Sequence, residues 1–123
     1  MNPTSSVLEQ RVAAMEGGIG ALALSSGMAA ITYSIFAIAE QGDNIVSTAS
    51  LYGGTYNLFA HTLPRLGIEV RFAEHHDIES MEKLIDDKTK AVFAESLGNP
   101  AGNILDITAV AEMAHKHGVP LMR

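Results

Sequence analysis

Two short stretches of small residues each follow an apolar run and precede a predicted helix: Ser25-Ser26-Gly27-Met28 and Leu51-Tyr52-Gly53-Gly54. A strand that opens through such a turn into a helix presents unsatisfied N–H groups at the helix N-terminus. The helix dipole favours an anion at that point. The two stretches therefore predict binding of an anionic group such as phosphate, and Tyr52 is placed to cover a flat ring that the first turn holds.

Each of these stretches also fits a turn without any ligand. The first is not a P-loop, since it lacks Gly-Lys-Ser/Thr, and it is not a nucleophile elbow, since it lacks Gly-x-Ser-x-Gly. Tyr52 taken alone equally fits an aromatic residue packed in a loop. The histidines predict no metal site: His115 and His117 are two apart on a predicted helix and face different sides. His75-His76 predict a solvated turn.

The elements that must position these turns alternate between strand and helix along the chain. Strands are predicted at residues 21–24, 44–49, 68–72, 91–93 and 119–122, with helices between them. This order predicts a three-layer α/β/α fold with a mainly parallel sheet and helices on both of its faces. Ligands of such sheets bind at the carboxyl ends of the strands, where residues 25–28, 51–54 and 95–102 are expected to gather.

The helix boundaries are predicted from local signals. Ser6 and Glu9 have the spacing of a capping box, and Gly17 ends the first helix. The helix from residue 28 to about 39 is apolar nearly all round, so we expect other elements to cover most of it. Pro64 and Gly67 are expected to end the third helix, and Asp106 to cap the last one.

Composition excludes several classes of function. The 123 residues carry a net charge of −6, which disfavours nucleic acid or an anionic membrane as a partner, and they include no cysteine for disulfides, thiolate chemistry or Cys-based zinc sites. No basic segment precedes an apolar run at the N-terminus, which predicts a cytoplasmic protein. The uncharged stretch 17–39 is long enough for a membrane span, but its glycines and serines favour a buried strand and helix.

Several stretches read together resemble one enzyme family. They are Asn2-Pro3-Thr4 with Leu8-Glu9, Ser26-Gly27-Met28-Ala29-Ala30, Leu51-Tyr52-Gly53-Gly54-Thr55-Tyr56, and Glu95-Ser96 with Asn99-Pro100. In this order they closely resemble the Cys/Met-metabolism family of enzymes that depend on pyridoxal 5'-phosphate (PLP). Within the family, Tyr56-Asn57-Leu58-Phe59, His61-Thr62-Leu63-Pro64 and Gly98-Asn99-Pro100-Ala101-Gly102-Asn103 are most similar to the O-acetylhomoserine sulfhydrylases.

The resemblance implies a role for each matching residue. The backbone N–H groups of Gly27 and Met28 would hold the PLP phosphate. Tyr52 would stack on the pyridine ring and act in proton transfer near the substrate. Asn99 would hydrogen-bond the phenolic oxygen of the cofactor and approach the substrate carboxylate. Glu95 matches a motif position near the site and is grouped with the cofactor-binding residues.

The resemblance also implies a fold and a reaction. The chain would be part of the PLP-binding large domain of an enzyme of the aspartate aminotransferase type I fold, cut at both ends and without the C-terminal domain. The complete enzyme would convert O-acetylhomoserine and sulfide to homocysteine and acetate in methionine and cysteine biosynthesis, as a homotetramer built from dimers. The chain ends before the positions of the Schiff-base lysine and of the aspartate that pairs with the pyridinium nitrogen, so we expect no turnover from it alone.

Two alternatives stay open. A sister activity of the same family, that of cystathionine γ-synthase or methionine γ-lyase, fits the shared motifs. A non-catalytic remnant that binds a phosphorylated ligand fits a chain that lacks the lysine.

Overall fold

The computed structural model describes residues 2–74 and 77–123, so the prediction for His75 and His76 lies outside the described residues. The chain divides into two compact units, residues 1–33 and 34–123. The first holds helix α1, Pro3–Glu16, and helix α2, Gly27–Phe36, begins in it and crosses the boundary. The second unit holds the sheet.

Helix α1 is capped differently from the prediction. The Asn2 side chain accepts a hydrogen bond from the Thr4 N–H at 3.0 Å, with Pro3 in the first turn. The capping box predicted for Ser6 and Glu9 is therefore wrong, because the helix already begins at Pro3 and Ser6 lies inside it. Gly17 ends the helix as predicted, in the left-handed conformation with φ of 65°.

The strand predicted at residues 21–24 is wrong. These residues are exposed and pair with no strand in the described part of the chain. The Ala23 N–H instead donates to the carboxylate of Glu9 at 2.9 Å. A strand needs a neighbour for its backbone N–H and C=O groups, and an apolar run by itself does not supply one.

Helix α2 is shorter and more exposed than the sequence predicts. It ends at Phe36, and among its described residues only Ile35 is buried. Tyr33 and Phe36 are exposed, so the expectation that most of this helix is covered is wrong for the described chain. The apolar pattern shows which faces can be buried, whereas burial itself depends on what packs against them.

None of the helices in residues 2–74 and 77–123 is long and apolar enough to cross a membrane.

The sheet of the second unit is parallel throughout, which confirms the predicted α/β class. Within residues 2–74 and 77–123 it has four strands in the order β2-β1-β3-β4. Because residues 21–24 add no strand, the sheet has one strand fewer than predicted. The strands are β1 Asn44–Thr48, β2 Glu69–Ala73, β3 Thr89–Phe93 and β4 Leu121–Met122.

Helices pack on both faces of this sheet. On one face, Val46 of β1 and Val92 of β3 form a buried cluster with Met81 and Val110. Met81 belongs to α5, Ile78–Lys83, and Val110 to α6, Ile107–Lys116. Asp106 caps α6 as predicted, since its carboxylate accepts from the Ala109 N–H at 3.0 Å.

The other face is covered by a helical segment with an irregular centre. It consists of α3 Gly53–Asn57, a π-helical turn Leu58–Thr62 and α4 Leu63–Arg65. Phe59 is fully buried and meets Phe93 edge to face, with ring centroids 4.9 Å apart.

Of the two residues predicted to end this helical segment, Gly67 follows its last residue, Arg65, closely and has a φ of 79°, whereas Pro64 lies inside the segment. The Leu63 N–H bonds to the carbonyl of Leu58, five residues back, and the segment continues to Arg65. Proline cannot donate a backbone hydrogen bond, and it clashes with the preceding turn of a regular α-helix. The wider π turn immediately before it accommodates the ring, so the chain passes through Pro64 without ending the helix.

Candidate functional site

The loops that carry Tyr52 and Glu95 leave the sheet at the same edge. β1 and β3 are parallel neighbours, so their carboxyl ends lie side by side. β1 ends at Thr48 and leads to Tyr52, and β3 ends at Phe93 and leads to Glu95. The prediction that residues 51–54 and 95–102 lie together at the carboxyl ends of the strands is therefore confirmed. Residues 25–28 belong to the other compact unit.

A hydrogen bond joins the two loops directly. The backbone N–H of Tyr52 donates to a carboxylate oxygen of Glu95 at 2.8 Å. Leu51 is buried next to it, and Tyr52 itself keeps 57% of its surface exposed. The backbone of Tyr52 is thus anchored on both sides, by Leu51 and by Glu95, while its ring lies open at the edge of the sheet.

The second loop also approaches the first at Gly98. A Cβ built on this glycine would lie 3.0 Å from the Cβ of Ser50, which is closer than ordinary van der Waals contact. Gly98 and Ser50 are both buried. A residue without a side chain therefore allows the two loops to pack closely. The close packing against Ser50 thus explains why position 98 is a glycine.

Asn99 lies in a turn that is closed by backbone hydrogen bonds. The Gly98 N–H donates to the Asn103 carbonyl at 2.7 Å, and the Gly102 N–H donates to the Gly98 carbonyl at 2.8 Å. Leu97 and Ile104 form an antiparallel bridge across the base of the loop. Asn99 is exposed in this turn, so its side-chain amide is accessible at the surface of the described chain.

The N-terminus of α2 is formed by Ser26. Its hydroxyl accepts from the Ala29 N–H at 3.1 Å, and its carbonyl accepts from the Ala30 N–H at 3.0 Å. Gly27 and Met28 then form the first turn, where helix N–H groups point along the axis towards the N-terminus. A Cβ built on Gly27 would meet no heavy atom of the described residues within 4 Å. The approach to this backbone is open, as a bound anionic group requires.

Each compact unit, taken by itself, offers groups that suit one part of PLP. In the first unit the backbone at Gly27 is open to the approach of an anionic group. In the second unit Tyr52 offers an exposed aromatic face. Asn99 offers an amide that can donate and accept hydrogen bonds. PLP has a phosphate, a planar pyridine ring and polar ring substituents, so the residue types match what it needs.

Two contacts at this edge were not predicted from the sequence. The motif at Glu95 indicated a ligand contact, but its carboxylate accepts the Tyr52 N–H from a loop more than forty residues away in the chain. Ser50 was not singled out either, although it packs against Gly98. The signal that could have indicated both is their position just after two strands that the α/β pattern makes neighbours.

Comparison with known proteins gives consistent matches along the chain. The family model for Cys/Met metabolism PLP-dependent enzymes matches residues 1–122. A homocysteine/cysteine synthase of Kluyveromyces lactis is 56% identical over 122 residues, which are 99% of this chain and 28% of that protein. An O-acetyl-L-homoserine sulfhydrylase of Leptospira meyeri is 52% identical over 122 residues, again 99% of this chain and 28% of that protein. The chain spans just over a quarter of the length of these curated relatives.

Solved structures agree with the predicted fold. An O-acetylhomoserine sulfhydrylase of Wolinella succinogenes matches with a TM-score of 0.92 and 44% identity, covering 98% of this chain and 34% of that one. A protein of Campylobacter jejuni described as an O-acetylhomoserine (thiol)-lyase matches with a TM-score of 0.94 and 46% identity, covering 98% and 30%. The second structure contains a pyridoxyl group attached to a lysine.

Proposed function

Because the chain belongs to the family of Cys/Met metabolism PLP-dependent enzymes, we propose that it is part of the cofactor-binding large domain of an O-acetylhomoserine sulfhydrylase. The complete enzyme would exchange the acetoxy group of O-acetylhomoserine for sulfide and release homocysteine and acetate, in methionine and cysteine biosynthesis. The names and the similarity of the relatives support this choice within the family. The rest of the large domain and a C-terminal domain would come from other parts of the complete protein.

The observation that carries the proposal is the hydrogen bond between the Tyr52 N–H and the Glu95 carboxylate at 2.8 Å. It brings the loops after β1 and β3 together at the carboxyl edge of a parallel sheet, the usual ligand position in this class of fold. It also leaves the ring of Tyr52 exposed rather than packed in the core. An aromatic side chain held in this way is suited to stacking on a planar cofactor.

Each site residue has a proposed task. The N–H groups of Gly27 and Met28 hold the phosphate of PLP, where the helix dipole favours negative charge. Asn99 hydrogen-bonds the phenolic oxygen of the cofactor and approaches the substrate carboxylate. When bound, PLP supplies the electron sink that stabilises negative charge at the substrate carbon.

Tyr52 has two proposed tasks. Its ring covers one face of the cofactor ring and excludes water from that face. Its phenolic oxygen holds or transfers a proton near the substrate, as a positioned side chain does in general acid–base catalysis. The lysine that carries PLP would come from outside this chain.

We further propose that the complete enzyme is a cytoplasmic homotetramer built from dimers. The exposed apolar side chains of α1 support subunit contacts in this part of the protein. Leu8 is 55% exposed, Val12 40% and Met15 80%, and they follow one another at helical spacing. Exposed apolar patches of this kind are typical of protein interfaces.

The test is a comparison of substrates with the complete, PLP-loaded protein. Initial rates are measured with O-acetylhomoserine plus sulfide, with O-succinylhomoserine plus cysteine, and with methionine or cystathionine alone. We expect the first pair to give the highest kcat/KM, with homocysteine as the product. A higher kcat/KM for γ-cleavage of methionine or cystathionine would reassign the protein to a sister activity of the family. A protein that binds PLP and turns over none of these substrates would be the non-catalytic alternative.

A further inference from the structure

We infer that Glu95 is a positioning residue, which acts on the reaction through the backbone of Tyr52 and not by contacting the cofactor. The inference rests on the proposed function, since it takes Tyr52 as the aromatic residue that covers PLP. It assigns to the Glu95 carboxylate the task of fixing where the Tyr52 ring stands. It therefore replaces the cofactor contact that the sequence motif indicates for Glu95.

The geometry favours this role because the carboxylate is already engaged. The Tyr52 N–H lies 2.8 Å from Oε1 of Glu95, which is a short and therefore strong contact between an amide and a charged acceptor. Glu95 is half-buried, two residues after the end of β3. A carboxylate at this position gives the Tyr52 amide an attachment on the neighbouring loop.

Tyr52 needs such an attachment, because burial does not hold its ring. The side chain is 57% exposed, and the residue lies between buried Leu51 and the start of α3 at Gly53. Its backbone lies near the polyproline II region, with φ of −53° and ψ of 139°. The position from which the ring extends therefore depends on the main chain at Tyr52, which the hydrogen bond to Glu95 restrains. Without it, we expect the ring to sample a wider range of positions over the cofactor.

A second contact between the two loops should hold them together when the contact made by Glu95 is lost. The close packing of Gly98 on Ser50 joins the same loops without involving Glu95. Loss of the Glu95 carboxylate should consequently leave the loops together while it releases the amide of Tyr52. The expected defect is in the placement of one ring and not in the stability of the whole domain.

The two possible roles of Glu95 predict different results for the same two variants. Glu95→Gln keeps an oxygen that can accept the Tyr52 N–H but removes the negative charge. Glu95→Ala removes both. A residue that acts as a proton carrier or as a charge beside the cofactor needs the carboxylate itself. A residue that only holds an amide needs an acceptor of similar length.

The experiment uses the complete PLP-loaded protein with Glu95→Gln, Glu95→Ala and the matched control Glu112→Ala, which changes an exposed glutamate of α6. Glu95→Ala is also combined with Tyr52→Ala to complete a double-mutant cycle. The measurements are kcat and KM for sulfhydrylation, circular dichroism in the absorption band of bound PLP, and the thermal unfolding midpoint.

We expect Glu95→Ala to lower kcat about 10- to 100-fold with a smaller change in KM, as for loss of one charged hydrogen bond that orients a reacting group. The circular dichroism of bound PLP should change as well. Glu95→Gln should stay within about threefold of wild type, and the control should match wild type. In the Tyr52→Ala background, adding Glu95→Ala should lower kcat by less than about twofold, because a residue that acts through Tyr52 has nothing left to position.

Two results would overturn the inference. One is a Glu95→Gln variant as defective as Glu95→Ala, which would make the charge itself the active feature. The other is an unchanged effect of Glu95→Ala in the Tyr52→Ala background, which would make the two residues independent. Failure of the proposed function is seen separately, since the wild-type protein would then lack sulfhydrylase activity. The circular dichroism of bound PLP would still test the inference in that case.

Discussion

The carboxylate of Asp86 accepts a hydrogen bond from the guanidinium of Arg71 at 2.7 Å, near the amino ends of the strands. The other oxygen of Asp86 accepts from the side-chain amide of Asn44, the first residue of β1, at 2.9 Å. The side chain of Thr89, the first residue of β3, in turn donates to Asn44 at 2.7 Å. Three strands are thus tied together at the edge of the sheet away from the candidate cofactor site.

This network predicts an acid-dependent contribution to stability. The hydrogen bonds from Asn44 and Arg71 hold the pKa of Asp86 well below its usual range. A carboxyl whose pKa is lower in the folded than in the unfolded state stabilises the fold at pH values above its unfolded pKa of about 4. That stabilisation is lost as the pH falls further. We expect Asp86→Asn to lower the thermal midpoint at pH 7, and the difference from wild type to shrink below about pH 4.

Asp87→Asn is the matched control for the network. Asp87 is the exposed neighbour of Asp86, so its substitution should leave the thermal midpoint near wild type from acid to neutral pH. If Asp86→Asn and Asp87→Asn gave the same dependence of the midpoint on pH, the network would have no such role.

The packing of Phe59 on Phe93 predicts a large effect on stability. Phe59 is fully buried, and its ring contacts Phe93 edge to face at 4.9 Å. Phe59→Ala should lower the free energy of unfolding by about 3–5 kcal/mol, since it removes a large apolar side chain and leaves a cavity. Denaturant unfolding of the complete protein measures the loss. Phe36→Ala makes the same change at a residue that is 45% exposed and should cost less than about 1 kcal/mol. Equal losses for both variants would mean that this face is not part of the core.

The contact between Gly98 and Ser50 predicts that the loop after β3 does not tolerate a side chain at position 98. A methyl group would lie 3.0 Å from the Cβ of Ser50, so one loop must move away from the other. Gly98→Ala should lower the free energy of unfolding by about 1–3 kcal/mol, as overpacking does in well-packed regions. It should also weaken PLP binding, because Asn99 moves with the loop.

Gly53→Ala is the comparison for stability. A Cβ at Gly53 meets no heavy atom of the described residues within 4 Å, so this change should leave stability equal or raise it by up to about 1 kcal/mol. Unfolding midpoints that are the same for Gly98→Ala and wild type would show that the loops can separate without cost.

The open space at Gly27 predicts a variant that separates cofactor binding from folding. A Cβ at this position meets no heavy atom of the described residues within 4 Å, so Gly27→Ala should fold normally. In the proposed site the same methyl group would stand in the way of the PLP phosphate, and we expect the dissociation constant for PLP to rise about tenfold or more. Equilibrium binding of PLP measured by fluorescence tests this expectation.

The control for Gly27 is Gly20→Ala. Gly20 lies in the same unit, and a Cβ there also meets no heavy atom of the described residues within 4 Å. It is outside the first turn of α2, so PLP binding should not change. Wild-type PLP affinity in Gly27→Ala would place the phosphate elsewhere.

The sequence predicted the parallel sheet well, because regular alternation of apolar runs and helical periodicity leaves few other arrangements. It also predicted helix ends that depend on signals within one turn, such as the start of α6 at the Asp106 cap and the end of α1 at Gly17. It failed at residues 21–24, where strand formation depends on a partner strand, and at Pro64, where a π turn accommodates the ring. Local pattern does not contain these long-range or compensating effects.

In the candidate site, too, local features could be predicted from the sequence and long-range contacts could not. Tyr52 and Asn99 could be singled out from their motifs, and their exposure at the sheet edge agrees with a ligand site. The contact of Glu95 with the Tyr52 amide could not be, since it joins residues far apart in the chain. It depends on the register of β1 and β3, which sets the two loops side by side.

The measurement that tests the account most directly is the stoichiometry of the products formed from O-acetylhomoserine by the complete PLP-loaded protein. Replacement of the acetoxy group by sulfide releases one acetate for each homocysteine formed. We therefore predict equal amounts of the two products, with formation of both depending on sulfide. Acetate release without homocysteine, accompanied by ammonia and 2-oxobutyrate, would show elimination instead of replacement and would contradict the account.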